Sequence, residues 1–246
     1  MRGRRTVLGV AILLALWALA AAALRMPALP GPLPVTYEFL RGLLGPLGRH
    51  LLASAARVFA SIVLAGLVAI PAGLLLGQSR FADRLFSPLI YLLHPIPKVV
   101  FLPIVLVLLG VGDLAKIVLI ALVLVFQILV VVRDAAANLP KALVDSVRSL
   151  GASHVALLRF VYLPACLPSV LTGLKLGAST AVAVLFFAES FATRAGLGYY
   201  IFVDSWGRLA YTEMYAGVLA MSLLGLLMYS LFEWLERRLC PYLYLH

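Results

Sequence analysis

Apolar residues along this chain come in runs of about twenty, and the polar segments between them are short and mostly basic. The first run, Thr6 to Leu24, follows Arg2, Arg4 and Arg5 and precedes Arg25 and a proline-rich stretch from Pro27 to Pro34. The second, Leu51 to Gly77, is followed by Arg80 and Arg84, and the third, Leu85 to Gly110, carries Pro88, Pro95, Pro97 and Pro103. After a turn at Gly110-Val111-Gly112-Asp113 a fourth run, Leu114 to Val132, ends at Arg133-Asp134. A fifth extends from about Leu163 to Phe191, and a sixth, Tyr211 to Leu235, ends at Arg237-Arg238. A bilayer core roughly 30 Å thick takes about 20 residues of helix. The pattern therefore predicts an all-α polytopic membrane protein with about six spans.

Local deviations refine that picture. Proline lacks a backbone donor and disfavours a straight helix through the preceding turn, so the third span is expected to be kinked or broken. A break at membrane depth is tolerated where protein or a wet cavity satisfies the freed carbonyls. It marks either a pathway element or a kink that fits neighbouring helices. The first run has the basic start and small-residue end of a signal peptide, yet its length favours an uncleaved span. Val35 to Leu47 has the spacing of a surface helix. The expected organisation is an N-terminal membrane helix over 1–26, an extracytoplasmic loop with a possible surface helix over 27–48, a transmembrane core over 49–238 containing a polar loop at 134–162, and a tail over 239–246.

Composition makes lipid the necessary solvent: 64% of the 246 residues are hydrophobic and 12% charged. The formal net charge of +10 does not gather into a nucleic-acid stripe. Instead, the basic residues punctuate the ends of apolar runs, as cytoplasmic loops do. Six spans with both termini inside put Arg2, Arg4, Arg5, Arg80, Arg84, Arg133, Lys141, Arg148, Arg159, Arg237 and Arg238 on the cytoplasmic side. Arg25, Arg41, Arg49, Lys116, Arg194 and Arg208 fall outside. Cys166 and Cys240, both assigned to the reducing side, predict no disulfide, and the scattered histidines predict no metal site.

Two spans carry small residues four apart: Ala65, Ala69, Gly73 and Gly77, then Gly173, Gly177 and Ala181. Such rows let helices approach closely, within one subunit or across a dimer. Lys98 and Lys175 fall near the middles of the third and fifth spans, where each costs about 2.5–3.5 kcal/mol to insert. Residues that expensive are expected to face a partner or a wet cavity. Lys98 follows Pro95-Ile96-Pro97, and Lys175 lies about 200° from the Gly173–Gly177 seam. Both are candidates for one translocation cavity, with Glu189 as the acidic residue of a span core that could neutralise one of them. The remaining positive charge favours a small anion. The alternative is that each lysine snorkels or pairs with carbonyls at the broken helix.

The longest polar stretch holds the strongest motif: Asp145-Ser146-Val147-Arg148-Ser149-Leu150-Gly151-Ala152, then Val155, Leu157, Leu158, Leu163 and Pro164. It predicts two short amphipathic helices broken at Gly151, the second followed by a proline that opens the next span. Its exposed apolar residues suit docking into a partner groove. The stretch resembles the cytoplasmic coupling loop of ABC importer permeases, with Gly151, Leu163 and Pro164 at the pattern's positions and Asp145-Ser146-Val147 where Glu-Ala-Ala is usual. Pro71-Ala72-Gly73, Gly110-Val111-Gly112-Asp113, Leu171-Thr172-Gly173-Leu174-Lys175 and Gly196-Leu197-Gly198-Tyr199 extend the resemblance to the branch handling nitrate, sulfonates, taurine and bicarbonate.

The resemblance implies a permease homodimer in a bacterial inner membrane. It also implies ATP-binding cassette ATPase subunits docked on Asp145, Ser146, Gly151, Ala152, Val155, Leu157, Leu158, Leu163 and Pro164, and an extracytoplasmic substrate-binding protein. ATP and Mg belong to the ATPase, no cofactor to this chain, and no G-x-x-x-x-G-K-[ST] loop occurs here. Pro95, Pro97, Lys98, Lys175 and Glu189 are the candidate path residues. A secondary carrier or channel is the competing class, and an aromatic vitamin precursor the competing substrate.

Overall fold

The computed structural model describes residues 2–191 and 193–244. Met1, Ala192, Leu245 and His246 lie outside the described residues, as do the side chains of Arg2, Arg4 and Arg5, on which part of the charge asymmetry rests. The described residues are mostly helical, without strands. Ten α-helices follow in order: α1 Arg2–Leu24, α2 Pro32–Leu43, α3 Pro46–Gln78, α4 Arg80–Leu93, α5 Leu102–Leu109, α6 Asp113–Ala137, α7 Lys141–Arg148, α8 His154–Leu157, α9 Leu163–Ser190 and α10 Tyr211–Leu239. Five helical segments are long and apolar enough to cross a membrane: Val7–Leu24, α3, α6, the run His154–Ser190, and α10. The pair Arg80–Leu93 and Lys98–Leu109, bent by 82°, is a sixth where the two halves count as one broken span, and a re-entrant loop where they do not.

Several boundaries differ from the expected ones. The surface helix ends at Leu43, because Gly45-Pro46 starts α3. The sixth span runs on to Leu239 and so takes Glu236 inside a helix. The fifth does not begin at Pro164. A π-helical turn, Leu158–Tyr162, joins α8 to α9, making His154–Ser190 one run through the proline. Pro164 withholds one donor at the join, where the bonding has already shifted to the wider turn in which the Leu163 N–H donates to the Leu158 carbonyl.

The residues divide into two compact units, 1–55 with 189–224 and 56–188 with 225–246. In the first, Trp17 on α1 donates Nε1–H to the Pro30 carbonyl at 3.0 Å and stacks with Tyr215 on α10. The apolar window of α1 is otherwise unburied, as suits a helix solvated by lipid.

The second unit is built around α6. Leu119, Leu124, Ile128 and Val132 are fully buried, and both small-residue seams pack on this helix. A Cβ at Gly73 would overlap Val132, and one at Gly77 would overlap Ala136 and the Arg133 carbonyl. Gly173 faces Val131 and Ile128, and Gly177 faces Leu124 and Ile128. The seams therefore hold α3 and α9 against α6 within one chain. With lipid on all sides, close backbone approach and dispersion replace the hydrophobic effect as the packing force.

Candidate functional site

The loop between α6 and α9 turns where the glycine is. Asn138 caps α6 by donating Nδ2–H to the Asp134 carbonyl, and Pro140 starts α7. After Arg148 the chain reverses at Gly151, whose φ of +81° lies in the left-handed region that glycine enters without cost. Ser153 then caps α8 by accepting from the Ala156 N–H. Val144 and Leu157 point inward, Leu157 only 1% exposed, while Leu150 and Val155 stand out at 85% and 73%. Leu157, expected on the docking face, is thus an anchor of the loop. The π-helical turn that follows carries α8 into the span with Leu157 on its buried side. Leu150 is the apolar tip, and its place directly before Gly151 in the sequence is the signal that points to it. Asp145 and Ser146 are exposed, as are Leu163 and Pro164, while Ala152 and Leu158 are half-buried.

The broken span is sealed from within. Pro95 and Pro97 stand in the gap between α4 and the 3₁₀ turn Lys98–Phe101. There the Lys98 ammonium donates to the carbonyls of Leu93, His94 and Ile96 at 2.9, 3.1 and 3.3 Å. Its charge lies 4.4 Å from the centre of the Phe126 ring on α6. A buried cation at a helix end opposite exposed carbonyl dipoles is electrostatically favourable. This is the arrangement the alternative expected, a lysine paired with carbonyls at the broken helix, and the Leu93 carbonyl is the one whose helical donor position Pro97 occupies.

Lys175 has a different partner from the one expected. It points away from the glycine seam, as the 200° step requires, and donates to Glu236 on α10 at 2.5 Å, with Thr172 Oγ1 3.5 Å from the same carboxylate. Glu189, expected to neutralise a lysine, instead accepts from Ser54 Oγ at 2.7 Å and from the Gly198 N–H at 3.0 Å. Ser54 accepts from the Leu197 N–H at 2.7 Å, and His50 Nδ1 accepts from the Gly196 N–H at 3.0 Å. Gly196, with φ +124°, leaves the Glu189 carboxylate no room for a Cβ. The loop after α9 is therefore strapped to the first turns of α3. It then enters a second π-helical turn, Tyr199–Ser205, where burial and next the Glu213 carboxylate push the Tyr200 phenol up to about 12.

Two further ion pairs have no local sequence motif. Arg57 Nη2 holds Asp113 at 2.6 Å, and Arg133 Nε holds Asp83 at 2.5 Å while its Nη1 reaches Tyr91 and Asp134 at 3.3 Å. They tie α3 and α4 to the two ends of α6. Cys166 and Cys240 are buried free thiols.

Comparison with known proteins agrees with this architecture. The model of the family described as the binding-protein-dependent transport system inner membrane component matches residues 69–240. The taurine transport system permease protein TauC of Escherichia coli is 31% identical, over 95% of this chain and 87% of its own length. The nitrate import permease protein NrtB of Synechocystis is 25% identical, over 96% and 89%. Among solved structures, the inward-facing MetNI methionine ABC transporter superposes with a TM-score of 0.66 over 79% of this chain and 96% of the matched one. At 22% identity that likeness establishes the fold alone. The match over most of the chain, together with a relative 31% identical across 95% of it, places this protein in the family of binding-protein-dependent transport system inner membrane components.

Proposed function

We propose that the chain is the translocating subunit of an ATP-driven importer for a small anion of the sulfonate or nitrate type. The work of a separate ATP-binding cassette subunit enters through the loop 138–162. The observation that carries this reading is the form of that loop: two short helices reversed at Gly151, anchored by Val144 and Leu157, with Leu150 and Val155 left projecting. An apolar projection on a reversed helix pair is a shape for a partner's groove. ATP and Mg reside on that partner. A second copy of this chain completes the path, and a binding protein delivers substrate from the other side. Both termini are cytoplasmic and the membrane is the bacterial inner one, in keeping with the excess of basic residues on one side. The substrate class is supported by the names of the taurine and nitrate relatives; Lys98 adds a positive charge at the break, with its three protons already given to carbonyls.

Gly151→Val is the test. A β-branched residue held at φ +81° is disfavoured by about 1–2 kcal/mol, enough to re-aim α8 and move Leu150 off its partner. The expected result is reduced co-purification of the ATPase, or hydrolysis without uptake in proteoliposomes, at normal membrane levels of the chain. Wild-type assembly and uptake in the variant would contradict the assignment.

A further inference from the structure

The end of α3, the start of α4, the end of α6, α7 and Tyr162 line a half-open cavity of 460 Å³, a volume typical of small-molecule sites. Its charged lining comprises Arg80, Asp83, Lys141, Asp145 and Arg148. Asp83 is committed to Arg133 and Ser87, and Asp145 lies 3.9 Å from Arg148. Arg80 and Lys141 form no ion pair among the described residues. The cavity therefore has positive charge to spare.

A second cavity, of 490 Å³, adjoins the first at Leu76, which lines both, and is bounded by the same three long helices. Its walls are apolar, with Leu75 of α3, Ala82, Phe86 and Leu89 of α4, and Phe126 and Leu129 of α6. It runs along α4 from Ala82 to Leu93, a helical rise of about 16 Å. A groove of that length, about half of a 30 Å apolar core, is long enough for an acyl chain of one leaflet.

We infer that the two cavities are one site for a single anionic phospholipid of the cytoplasmic leaflet. The phosphate sits among Arg80, Lys141 and Arg148, and an acyl chain lies in the groove between α3, α4 and α6. Basic pockets between helices on the cytoplasmic side suit anionic headgroups. The adjoining apolar groove distinguishes a lipid from a free phosphate ion, which would have no use for it. Lys141 and Arg148 belong to α7 and Arg80 to α4, so a seated headgroup bridges the coupling loop to the first half of the broken span. The choice of leaflet rests on the orientation proposed above, which is tested separately by labelling a cysteine placed at residue 154 from either side.

Binding is read by native mass spectrometry of the purified full-length chain, delipidated and then returned to phosphatidylglycerol or to phosphatidylcholine of the same chain length. One phosphatidylglycerol per chain should be retained in preference to phosphatidylcholine, and excess inorganic phosphate should not displace it. Each basic side chain at an anionic headgroup is worth about fivefold, so Arg80→Gln with Lys141→Gln should weaken retention about thirtyfold. Ala82→Trp, which fills the groove and leaves every charge in place, should abolish it. Both residues of the double variant are exposed, so that variant carries the test should the tryptophan disturb folding. Equal retention of phosphatidylcholine, unchanged retention in the folded variants, or displacement by inorganic phosphate would overturn the assignment.

Discussion

Lys175→Met separates two roles for a buried charge. Lys175 and Glu236 are 15% and 8% exposed and 2.5 Å apart, between helices α9 and α10. Removing one member of such a pair strands the other charge and costs about 3–5 kcal/mol. For a chain of this size about 1 kcal/mol corresponds to about 2–4 °C in Tm, so either single variant, Lys175→Met or Glu236→Met, should unfold about 6–20 °C earlier in detergent. Replacing both partners with apolar side chains of similar volume is close to neutral, so Lys175→Met/Glu236→Met should recover most of that loss. The three proteins are then compared for uptake in proteoliposomes with the cognate binding protein and ATPase. If the pair is a structural tie between α9 and α10, the double variant transports near the wild-type rate. A double variant as stable as wild type yet inactive would refute this reasoning and return Lys175 to the translocation path.

Two other substitutions test the remaining constellations. Gly196→Ala places a Cβ on the Glu189 carboxylate at φ +124°. It should cost more than about 1 kcal/mol and release the strapped loop, seen as faster tryptic cleavage at Arg194; unchanged cleavage would argue against the strap. Lys98→Met strips the His94 and Ile96 carbonyls of their donor, Leu93 keeping the Ile96 N–H, at about 1–3 kcal/mol for an unsatisfied group. It should also remove the positive charge from the broken span, lowering anion uptake while ATPase assembly persists. Wild-type uptake would take Lys98 out of substrate handling.

What was legible in the sequence is what local rules decide. Run lengths identified the spans, Pro95 and Pro97 marked the break that the structure bends by 82°, and Gly151 marked the reversal. The glycine and alanine rows identified the seams, though not that both would meet α6. Less legible were features set by partners far along the chain. Ser54 and Glu189 are 135 residues apart, and Arg57 and Asp113 are 56 apart. No local pattern announces either. Leu157 falls on the face opposite Val155, because two residues along a helix turn about 200°, so the two could not share one docking face. The π-helical turn that follows leaves no sequence signature here beyond ordinary apolar residues.

Charge in the membrane shows where such inference stops. The cost of inserting a lysine implies that something compensates it, and each of Lys98 and Lys175 is compensated. The identity of the compensator is a separate matter, fixed by geometry. The apolar run of the last span stops at Leu235, one residue short of Glu236. Yet successive helical residues turn by about 100°, and the same helix buries Glu236 while exposing both arginines. Lys175 thereby gains a carboxylate and loses its surplus charge. Lys98 gains dipoles and an aromatic face and forms no ion pair among the described residues. The electrostatic case for an anion in the path therefore passes from two lysines to Lys98, at the break where the helix axis bends.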